Sequence, residues 1–597
     1  MSSQLDESMD KPVDTRKAIK NIIFLLKDYK LKLIITVICA VISTLFDVIG
    51  PLLIGKALTI IYEGVINIIN HTGNFDFGSF INILIIAFIL YIVSSIFAYL
   101  QNYILINVTT EISYNLRKEI LEKITHLSMK QIDENKRGDI LSRITNDVDS
   151  LQSGITQSFL QLITAVITLV GITVVMITIN IWMALATLTL VPITFLVIRV
   201  ITNRSQKYFS KELEYRGSLN GQIEENFTGI DIIQIFNQEE DSINKFNQDN
   251  EKMYNYEWKS EFISSLNSPS MELISNIQYV IIAVLGAVFA LQKAITVGDI
   301  LAFFQYIEHF TRPIQQITKS MTTVQIAMAA SERIFEFLEL NEEENNSEKI
   351  IKNINENITF ENINFSYDSD KKIIDNLSFK VNKGDKIAIV GETGAGKTTI
   401  VKLLMRFYDV DSGEIKIDGV NINEYDKHSL RSLVGMVLQD SWIFNDTILN
   451  NIRYGKLDAS DEEIIKISKQ IYADEFIMQL PDSYESVISE DCDNISHGQK
   501  QLITIARTIL SQKEILILDE ATSSVDTKTE ELIQIAMDEL MKNKTSFIIA
   551  HRLSTIKNAD KIIVISDGKI IEAGCHEELI AKKGYYYQTL NIQSQQF

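Results

Sequence analysis

The chain has 597 residues, which is too many for one ordinary domain, so at least two domains are expected. Its 56 Lys and Arg residues against 77 Asp and Glu residues give a formal charge of −21. This balance excludes a general nucleic-acid-binding protein, because such proteins need basic faces. The three cysteines, Cys39, Cys492 and Cys575, have neither a pairing motif nor a metal-ligand spacing, so no disulfide framework is predicted.

Six apolar stretches dominate the first half of the chain, and each supplies the roughly 20 residues that a helix needs to cross a bilayer. No apolar stretch directly follows the polar first 15 residues, so no signal peptide is predicted. We expect a cytosolic tail and elbow helix over residues 1–30 and a six-span membrane domain with long cytosolic loops over residues 31–340. The alternative is that these stretches are buried helices of a large soluble core. The stretches lie at 33–60, 80–107, 155–178, 181–202, 270–292 and 298–322.

The distribution of Lys and Arg predicts the orientation in the membrane. Seven of these residues precede the first span, seven lie between residues 117 and 143, and residues 57–116 and 144–198 contain none. Basic loops favour the cytosolic side. The N-terminus, the segments near 108–154 and 203–269, and the C-terminus are therefore expected to be cytosolic. The spaced apolar residues of these segments indicate membrane helices that continue into the cytosol.

The pattern changes after the membrane stretches. Residues 341–353 are acidic and rich in Asn, with no apolar face, so residues 341–356 are predicted to be a linker. From residue 357 onward, short β-branched runs such as KIAIV, ILILDE and SFIIAH alternate with helical segments. The sequence predicts an α/β domain over residues 357–597.

A glycine-rich loop, GETGAGKT at residues 391–398, carries the strongest chemical signal. It follows a strand and opens a helix, which is the context of a phosphate-binding loop. Backbone N–H groups of such a loop surround a β-phosphate at the positive helix terminus. Lys397 would pair with the β- and γ-phosphates, and Thr398 would ligate Mg²⁺. The predicted nucleotide contacts are Gly391, Glu392, Thr393, Gly394, Ala395, Gly396, Lys397, Thr398 and Thr399.

Two adjacent carboxylates end the buried run ILILDE. Asp519 is placed to hold Mg²⁺ through its water shell, and Glu520 is placed to act as the general base on the attacking water. A strand-end cap is the simpler reading of such a pair taken alone. Downstream of a phosphate loop, the pair indicates ATP hydrolysis.

Residues 357–590 resemble the nucleotide-binding domain of ABC transporters over their full length. Tyr367 matches the aromatic residue on which adenine stacks, and Gln439 matches the glutamine that touches Mg²⁺ and faces the membrane domain. Asp526 ends a match to the loop that crosses to the partner subunit, and His551 matches the histidine that contacts the γ-phosphate. The resemblance implies a P-loop ATPase fold with an ABC-type helical subdomain.

The membrane half resembles the exporter type of this family. Six spans precede the ATPase domain in one chain, and the segment 134–152 looks like the first cytosolic loop of such exporters. The resemblance implies binding of ATP and Mg²⁺, a second half-transporter subunit, and a small amphipathic substrate crossing the lipid bilayer.

One motif departs from the family pattern. The signature Leu-Ser-Gly-Gly-Gln, which caps the γ-phosphate of the other subunit, is replaced by a sequence with histidine at the first glycine. A Cβ and an imidazole would then stand where backbone should approach phosphate closely. We interpret the signature as degenerate and expect a heterodimer whose partner supplies an intact one. Alternatively, the basic side chain contacts phosphate and the change is tolerated. The residues concerned are Ile495, Ser496, His497, Gly498 and Gln499.

Three functions remain open on the sequence. The first is ATP-driven export of amphipathic, drug-like compounds across the cytoplasmic membrane by one half of a dimer. The second is export of lipids or peptides by the same architecture, and no cysteine-protease-like N-terminal domain supports the peptide version. The third is an ATP-gated channel or regulatory subunit. Intramembrane charges are costly and often functional, so Glu308, His309, Arg312 and Asp47 are candidates for substrate contact, although they could equally face cytosolic water or pair with one another.

Overall fold

The computed structural model describes residues 14–72, 74–135, 137–345, 347–367, 371–438, 441–489, 494–519, 527–549 and 556–594. The chain divides into two compact units. The first comprises the residues up to Leu127 and Glu134–Glu342, and the second comprises Ser128–Asp133 and the residues from Glu343 onward. The division after Glu342 falls inside the stretch predicted to be the linker. Nothing in the sequence indicated that Ser128–Asp133 would pack with the second unit.

The described residues before the linker are almost entirely helical, as the apolar stretches predicted. Short π-helical turns at Arg143–Asp147 and Ile155–Phe159 join three of the helices into one run. The helices are α1 (Thr15–Leu26), α2 (Lys30–Ile69), α3 (Phe77–His126), α4 (Met129–Glu134), α5 (Arg137–Ser142), α6 (Val148–Gly154), α7 (Leu160–Ile179), α8 (Ile181–Thr189), α9 (Val191–Thr228), α10 (Ile230–Ile235), α11 (Glu239–Ser265), α12 (Asn267–Leu291) and α13 (Val297–Leu338).

Five helical runs of the described residues are long and apolar enough to cross a membrane, and they contain the first four predicted spans and all but the last residue of the fifth. A chain in lipid must satisfy its backbone hydrogen bonds internally, which a helix does. At 1.5 Å per residue, the 50 residues of α3 extend about 75 Å, well beyond a hydrocarbon core of roughly 30 Å. The runs are Thr15–Ile69, Phe77–His126, Arg137–Ile179, Ile181–Thr228 and Glu239–Leu291.

The sixth predicted stretch is also helical, as α13, but it is not among the five apolar runs. Charged and polar residues such as Glu308 and Arg312 interrupt it, so its composition is less apolar. One face is deeply buried in the core of the unit, with Phe303, Tyr306 and Ile307 inaccessible to solvent. Because neighbouring helices cover this face, α13 does not need a lipid-compatible surface all round.

Helices α2 and α13 touch backbone to backbone. A Cβ added to Gly298 would lie 1.7 Å from the carbonyl oxygen of Gly55. The Thr59 hydroxyl accepts the N–H of Gly298 at 3.2 Å. Further along the same pair, the buried Tyr306 hydroxyl donates to the Val48 carbonyl at 2.8 Å. Small residues thus set the separation of the two helices, as is common where helices pack in membranes.

The second unit contains twelve described strands in three sheets. A four-stranded sheet has the order β2-β1-β4-β5, a six-stranded sheet has the order β12-β11-β3-β10-β9-β6, and β7 pairs with β8. Five strands of the six-stranded sheet run parallel, and β12 is antiparallel to β11. The strands are β1 (Asn357–Ser366), β2 (Lys372–Asn382), β3 (Lys386–Gly391), β4 (Ser412–Ile417), β5 (Val420–Asn421), β6 (Val434–Val437), β7 (Asp446–Thr447), β8 (Val487–Ile488), β9 (Ile515–Asp519), β10 (Thr545–Ile549), β11 (Lys561–Ser566) and β12 (Lys569–Gly574).

Helices flank these sheets and confirm the predicted α/β class. Residues of α16 to α19, such as Ile448, Ile464, Ile477 and Leu502, share one buried core with strand residues of the large sheet. A second core lies between the two larger sheets and includes Phe360, Ile389 and Phe547. The helices are α14 (Lys397–Leu404), α15 (Lys427–Ser432), α16 (Ile448–Arg453), α17 (Asp461–Gln470), α18 (Ala473–Ile477), α19 (His497–Leu510), α20 (Thr527–Leu540), α21 (His576–Lys582) and α22 (Tyr585–Ser594).

The close approach of α2 and α13 generates a stability prediction. Gly298→Ala should lower the thermal midpoint of the purified full-length chain, because the new methyl group forces the two helices apart at a cost of about 1–3 kcal/mol. Gly221→Ala on α9 is the matched control, since an added Cβ there meets nothing within 4 Å. The thermal midpoints of the wild type and both variants are measured in the same detergent. Equal midpoints for Gly298→Ala and wild type would show that the helices are not in the contact described.

Candidate nucleotide-binding site

The glycine-rich loop runs from the end of β3 to the start of α14, at the edge where parallel strands end. Gly394 and Gly396 have φ angles of +86° and +99°, a region that other residues adopt only with strain. A Cβ on Gly391 would lie 2.2 Å from the carbonyl oxygen of Ile565 on neighbouring β11. The loop therefore needs these glycines both for its turns and for its fit against the sheet.

Lys397 begins α14 and folds back over the loop. Its ammonium donates to the carbonyl oxygens of Gly391 at 2.7 Å and Glu392 at 3.0 Å. Burial lowers the pKa of Lys397 below its ordinary value, and the negative charge of Asp519 acts in the opposite direction. The side chain is thus held at the loop as a buried donor that can exchange carbonyl oxygens for phosphate oxygens.

Asp519 lies buried at the end of β9, within electrostatic reach of Lys397. Thr398 is exposed in the first turn of α14. A carboxylate and a hydroxyl are hard oxygen donors, which is the donor chemistry that Mg²⁺ prefers. Mg²⁺ usually binds through one or two carboxylates together with substrate phosphates, so this donor set fits it.

Tyr367, the predicted adenine platform, lies beside α14. Its hydroxyl is 3.2 Å from the hydroxyl of Thr399. The ring of Tyr408 meets it edge-on at 5.0 Å, and the ammonium of Lys402 lies 5.6 Å from its centre. Tyr367 as a whole is 37% exposed, so its ring is available for stacking next to the loop.

Three contacts around this loop could not be predicted from the sequence. The Tyr408 hydroxyl donates to Asp133 at 2.5 Å, and Lys402 pairs with the same carboxylate at 3.4 Å. The hydroxyl of Tyr585, close to the C-terminus, donates to Glu392 of the loop at 2.8 Å. These pairs join residues 193 to 275 positions apart, and no local pattern signals such pairings.

The altered signature forms the start of α19. Ser496 caps the helix by accepting the N–H of Gln499 at 3.3 Å, and Gln499 accepts the N–H of Ser496 at 2.8 Å. This reciprocal pair is a capping box. His497 is exposed at the first helical position, whereas Gly498 is buried. Histidine therefore causes no clash within the unit, because its side chain is exposed on the surface.

The structure brings together Lys397, Thr398, Thr399, Asp519 and Tyr367 around the loop. Four predicted residues lie outside the described residues: Gln439, Glu520, Asp526 and His551. Their roles stay predictions. Asp133 belongs to the second unit, whereas residues 134–152, the stretch that resembles the first cytosolic loop, belong to the first.

A helical membrane unit joined to a P-loop domain with this sheet order defines an ATP-driven membrane protein. The family model of the ABC transporter transmembrane region matches residues 33–314, and the ABC transporter family model matches residues 374–523. The chain belongs to the ABC transporter family. It is an exporter-type subunit that binds nucleotide, couples ATP hydrolysis to transport, and resides in a membrane.

Named relatives cover most of the chain. It is 42% identical to a fatty acid ABC transporter ATP-binding/permease protein of Mycobacterium bovis over 86% of this chain and 81% of that protein. It is 33% identical to a putative multidrug export ATP-binding/permease protein of Bacillus subtilis, over 95% and 98%. It is 34% identical to an ATP-dependent lipid A-core flippase of Syntrophus aciditrophicus, over 85% and 84%.

The geometry of Lys397 leads to a binding prediction. Lys397→Gln should weaken ATP binding by about 10- to 100-fold, because charge-assisted hydrogen bonds to phosphate contribute about 1.5–3 kcal/mol. Turnover should fall with it. Lys466→Gln, at an exposed lysine of α17, should change neither. Equilibrium binding of a fluorescent ATP analogue to the purified chain measures the difference, and unchanged affinity for Lys397→Gln would remove Lys397 from the site.

Proposed function

We propose that the chain exports amphipathic small molecules of the drug-like class across the cytoplasmic membrane, as one half of a heterodimeric transporter. The observation that carries the heterodimer is His497, which is exposed at the start of α19 in a chain whose phosphate loop has its Lys397 in place. The relative described as a putative multidrug exporter supports the substrate class.

Lipid export is the second candidate, and two relatives favour it. One is described as a fatty acid transporter and another as a lipid A-core flippase. The apolar composition of the spans suits either kind of amphiphile. A peptide exporter, or an ATP-gated channel or regulatory subunit, has no comparable support among the relatives named above.

In the proposed mechanism, different residues of the nucleotide site bind ATP, hold Mg²⁺ and activate water. Tyr367 stacks on adenine, the backbone N–H groups of residues 391–398 surround the phosphates, and Lys397 neutralises their charge. Thr398, Asp519 and Gln439 would hold Mg²⁺, which supplies further positive charge to the β- and γ-phosphates. Glu520 takes a proton from water as the water oxygen attacks the γ-phosphorus and the bond to ADP breaks.

The remaining steps use the dimer. His551 contacts the γ-phosphate, and the region of Asp526 crosses to the partner. A signature from the partner caps the phosphates held by this chain, and Ser496, His497, Gly498 and Gln499 cap those held by the partner. ATP binding closes the two ATPase domains and turns the membrane helices outward, and hydrolysis resets them.

Unequal sites follow from His497. A glycine at this position lets backbone approach phosphate, and a side chain there keeps the two apart. The site formed by this chain's loop and an intact partner signature is then the active one. The partner is expected to carry Leu-Ser-Gly-Gly-Gln and a substituted catalytic carboxylate.

The proposal predicts poor ATP hydrolysis by the chain purified alone. His497→Gly should raise that hydrolysis, because close backbone approach to the γ-phosphate is restored. A suitable control is Lys500→Gly, three positions further along α19, which should give no gain. Both variants and the wild type are compared by phosphate release and by ATP-driven uptake of a fluorescent amphiphile into inside-out vesicles. Full hydrolysis and transport by the unmodified chain alone would contradict the heterodimer and make His497 a tolerated change.

The orientation in the membrane has its own test. Single cysteines at Asn74 and Gly138, in a chain lacking Cys39, Cys492 and Cys575, should label oppositely in intact cells. The cysteine at 74 should react with an impermeant maleimide, and the one at 138 should react only after the membrane is opened, since basic segments stay on the cytosolic side. Labelling at 138 from outside would overturn the proposed topology.

A further inference from the structure

The outward face of α13 differs from that of the five apolar runs. Those runs expose large apolar side chains along much of their length, for example Phe88, Val170, Leu196 and Val284. On α13 between residues 297 and 317, all of which are described, no large hydrophobic side chain is exposed. The exposed side chains of this stretch are Glu308, His309, Arg312 and Gln316.

These four residues, which we call the polar stripe, occupy one side of the helix because they are spaced one, four and eight positions from the first. The opposite side carries the buried residues Phe303, Tyr306, Ile307, Phe310 and Ile314. Charged side chains are costly in lipid and usually face a bundle interior or a water-filled cavity. The polar stripe therefore borders water or another polar surface within the transporter.

Within the polar stripe, Arg312 donates to Glu308 at 2.8 Å. Both side chains are largely exposed, at 69% and 57%. An exposed ion pair is weak, so a competing anion can displace the glutamate. Tyr279 of α12 lies within electrostatic reach of Glu308 and packs edge-on against Phe304 at 5.3 Å. The ion pair thus has aromatic residues at its side.

We propose that the polar stripe binds the anionic head of an amphipathic substrate, with Arg312 as the anion receptor and Glu308 as its exchangeable counter-ion. This inference rests on the proposed export of amphiphiles. The planar guanidinium fits a carboxylate or phosphate in a two-pronged manner. His309 and Gln316 add further N–H donors. Glu308 is the one carboxylate among the four residues, so hydrogen-bond donors outnumber anionic groups in the polar stripe.

Binding of three C12 amphiphiles tests the proposal: dodecanoate, dodecyl phosphate and dodecyltrimethylammonium. Radiolabelled probes bind to the full-length chain in nanodiscs, and empty nanodiscs are subtracted. Arg312→Gln should weaken binding of at least one anionic probe tenfold or more and change binding of the cation less than twofold. Glu308→Gln should strengthen binding of the same anion several-fold, because the competing carboxylate is gone. The anion that responds identifies the head group as carboxylate, phosphate or both.

The matched control is Lys245→Gln on α11. Lys245 pairs with Asp241 at the same four-residue spacing and the same 2.8 Å, with exposures of 67% and 57%. It should leave binding of all three probes unchanged. The proposal is overturned if Arg312→Gln leaves both anions within twofold of wild type. It is equally overturned if this variant loses all three probes, or if Glu308→Gln weakens the cation while the anions do not respond.

ATP-driven accumulation of the same probes in inside-out vesicles of the native membrane, where the proposed partner subunit is present, separates this inference from the proposed function. If the probes accumulate equally whatever their head group and whether or not Arg312 is present, the role of Arg312 as anion receptor is overturned, but export of amphiphiles is not. Arg312-dependent anion binding without ATP-driven accumulation of any probe would support the polar stripe and overturn export of amphiphiles.

Discussion

The fold depends first on the requirement that a backbone in lipid must satisfy its own hydrogen bonds. Helices meet it, and here they extend far past the membrane, since α3 alone has 50 residues. Side chains then decide what each helix faces. The five apolar runs expose large hydrophobic residues, whereas residues 297–317 of α13 expose polar side chains and bury the apolar side. Direct backbone contact at Gly55 and Gly298 and the Tyr306 hydrogen bond to Val48 fix α13 against α2.

A second constraint, close approach of backbone to phosphate, shapes the ATPase unit. Gly394 and Gly396 adopt positive φ angles, and Gly391 fits against β11 with no room for a Cβ. The same requirement explains why a side chain at position 497, where the family has glycine, matters. In its own unit the imidazole is harmless, because it is exposed beyond a well-formed capping box. In the proposed heterodimer, its cost would arise only where another chain's phosphate must come close. A substitution can therefore leave folding untouched and alter the assembled transporter.

Local and periodic signals were enough for much of this architecture. The apolar runs, the glycine loop and the strands at Lys386–Gly391 and Ile515–Asp519 follow from composition and spacing within a few residues. The apolar stretch was enough to predict α13 as a helix, but its lower hydropathy did not show which side is buried, because tertiary packing decides that. The packing of Ser128–Asp133 with the second unit was equally hidden. Its partners, Lys402 and Tyr408, are separated from it by about half the chain.

The end of the chain has a consequence for handling the protein. Glu572 accepts the N–H groups of Tyr585 and Tyr586 at 2.9 and 3.0 Å, which fixes the start of α22. The Tyr585 hydroxyl then reaches Glu392 in the phosphate loop. A substitution or chemical label at Tyr585 would therefore act on the phosphate loop as well as on this helix.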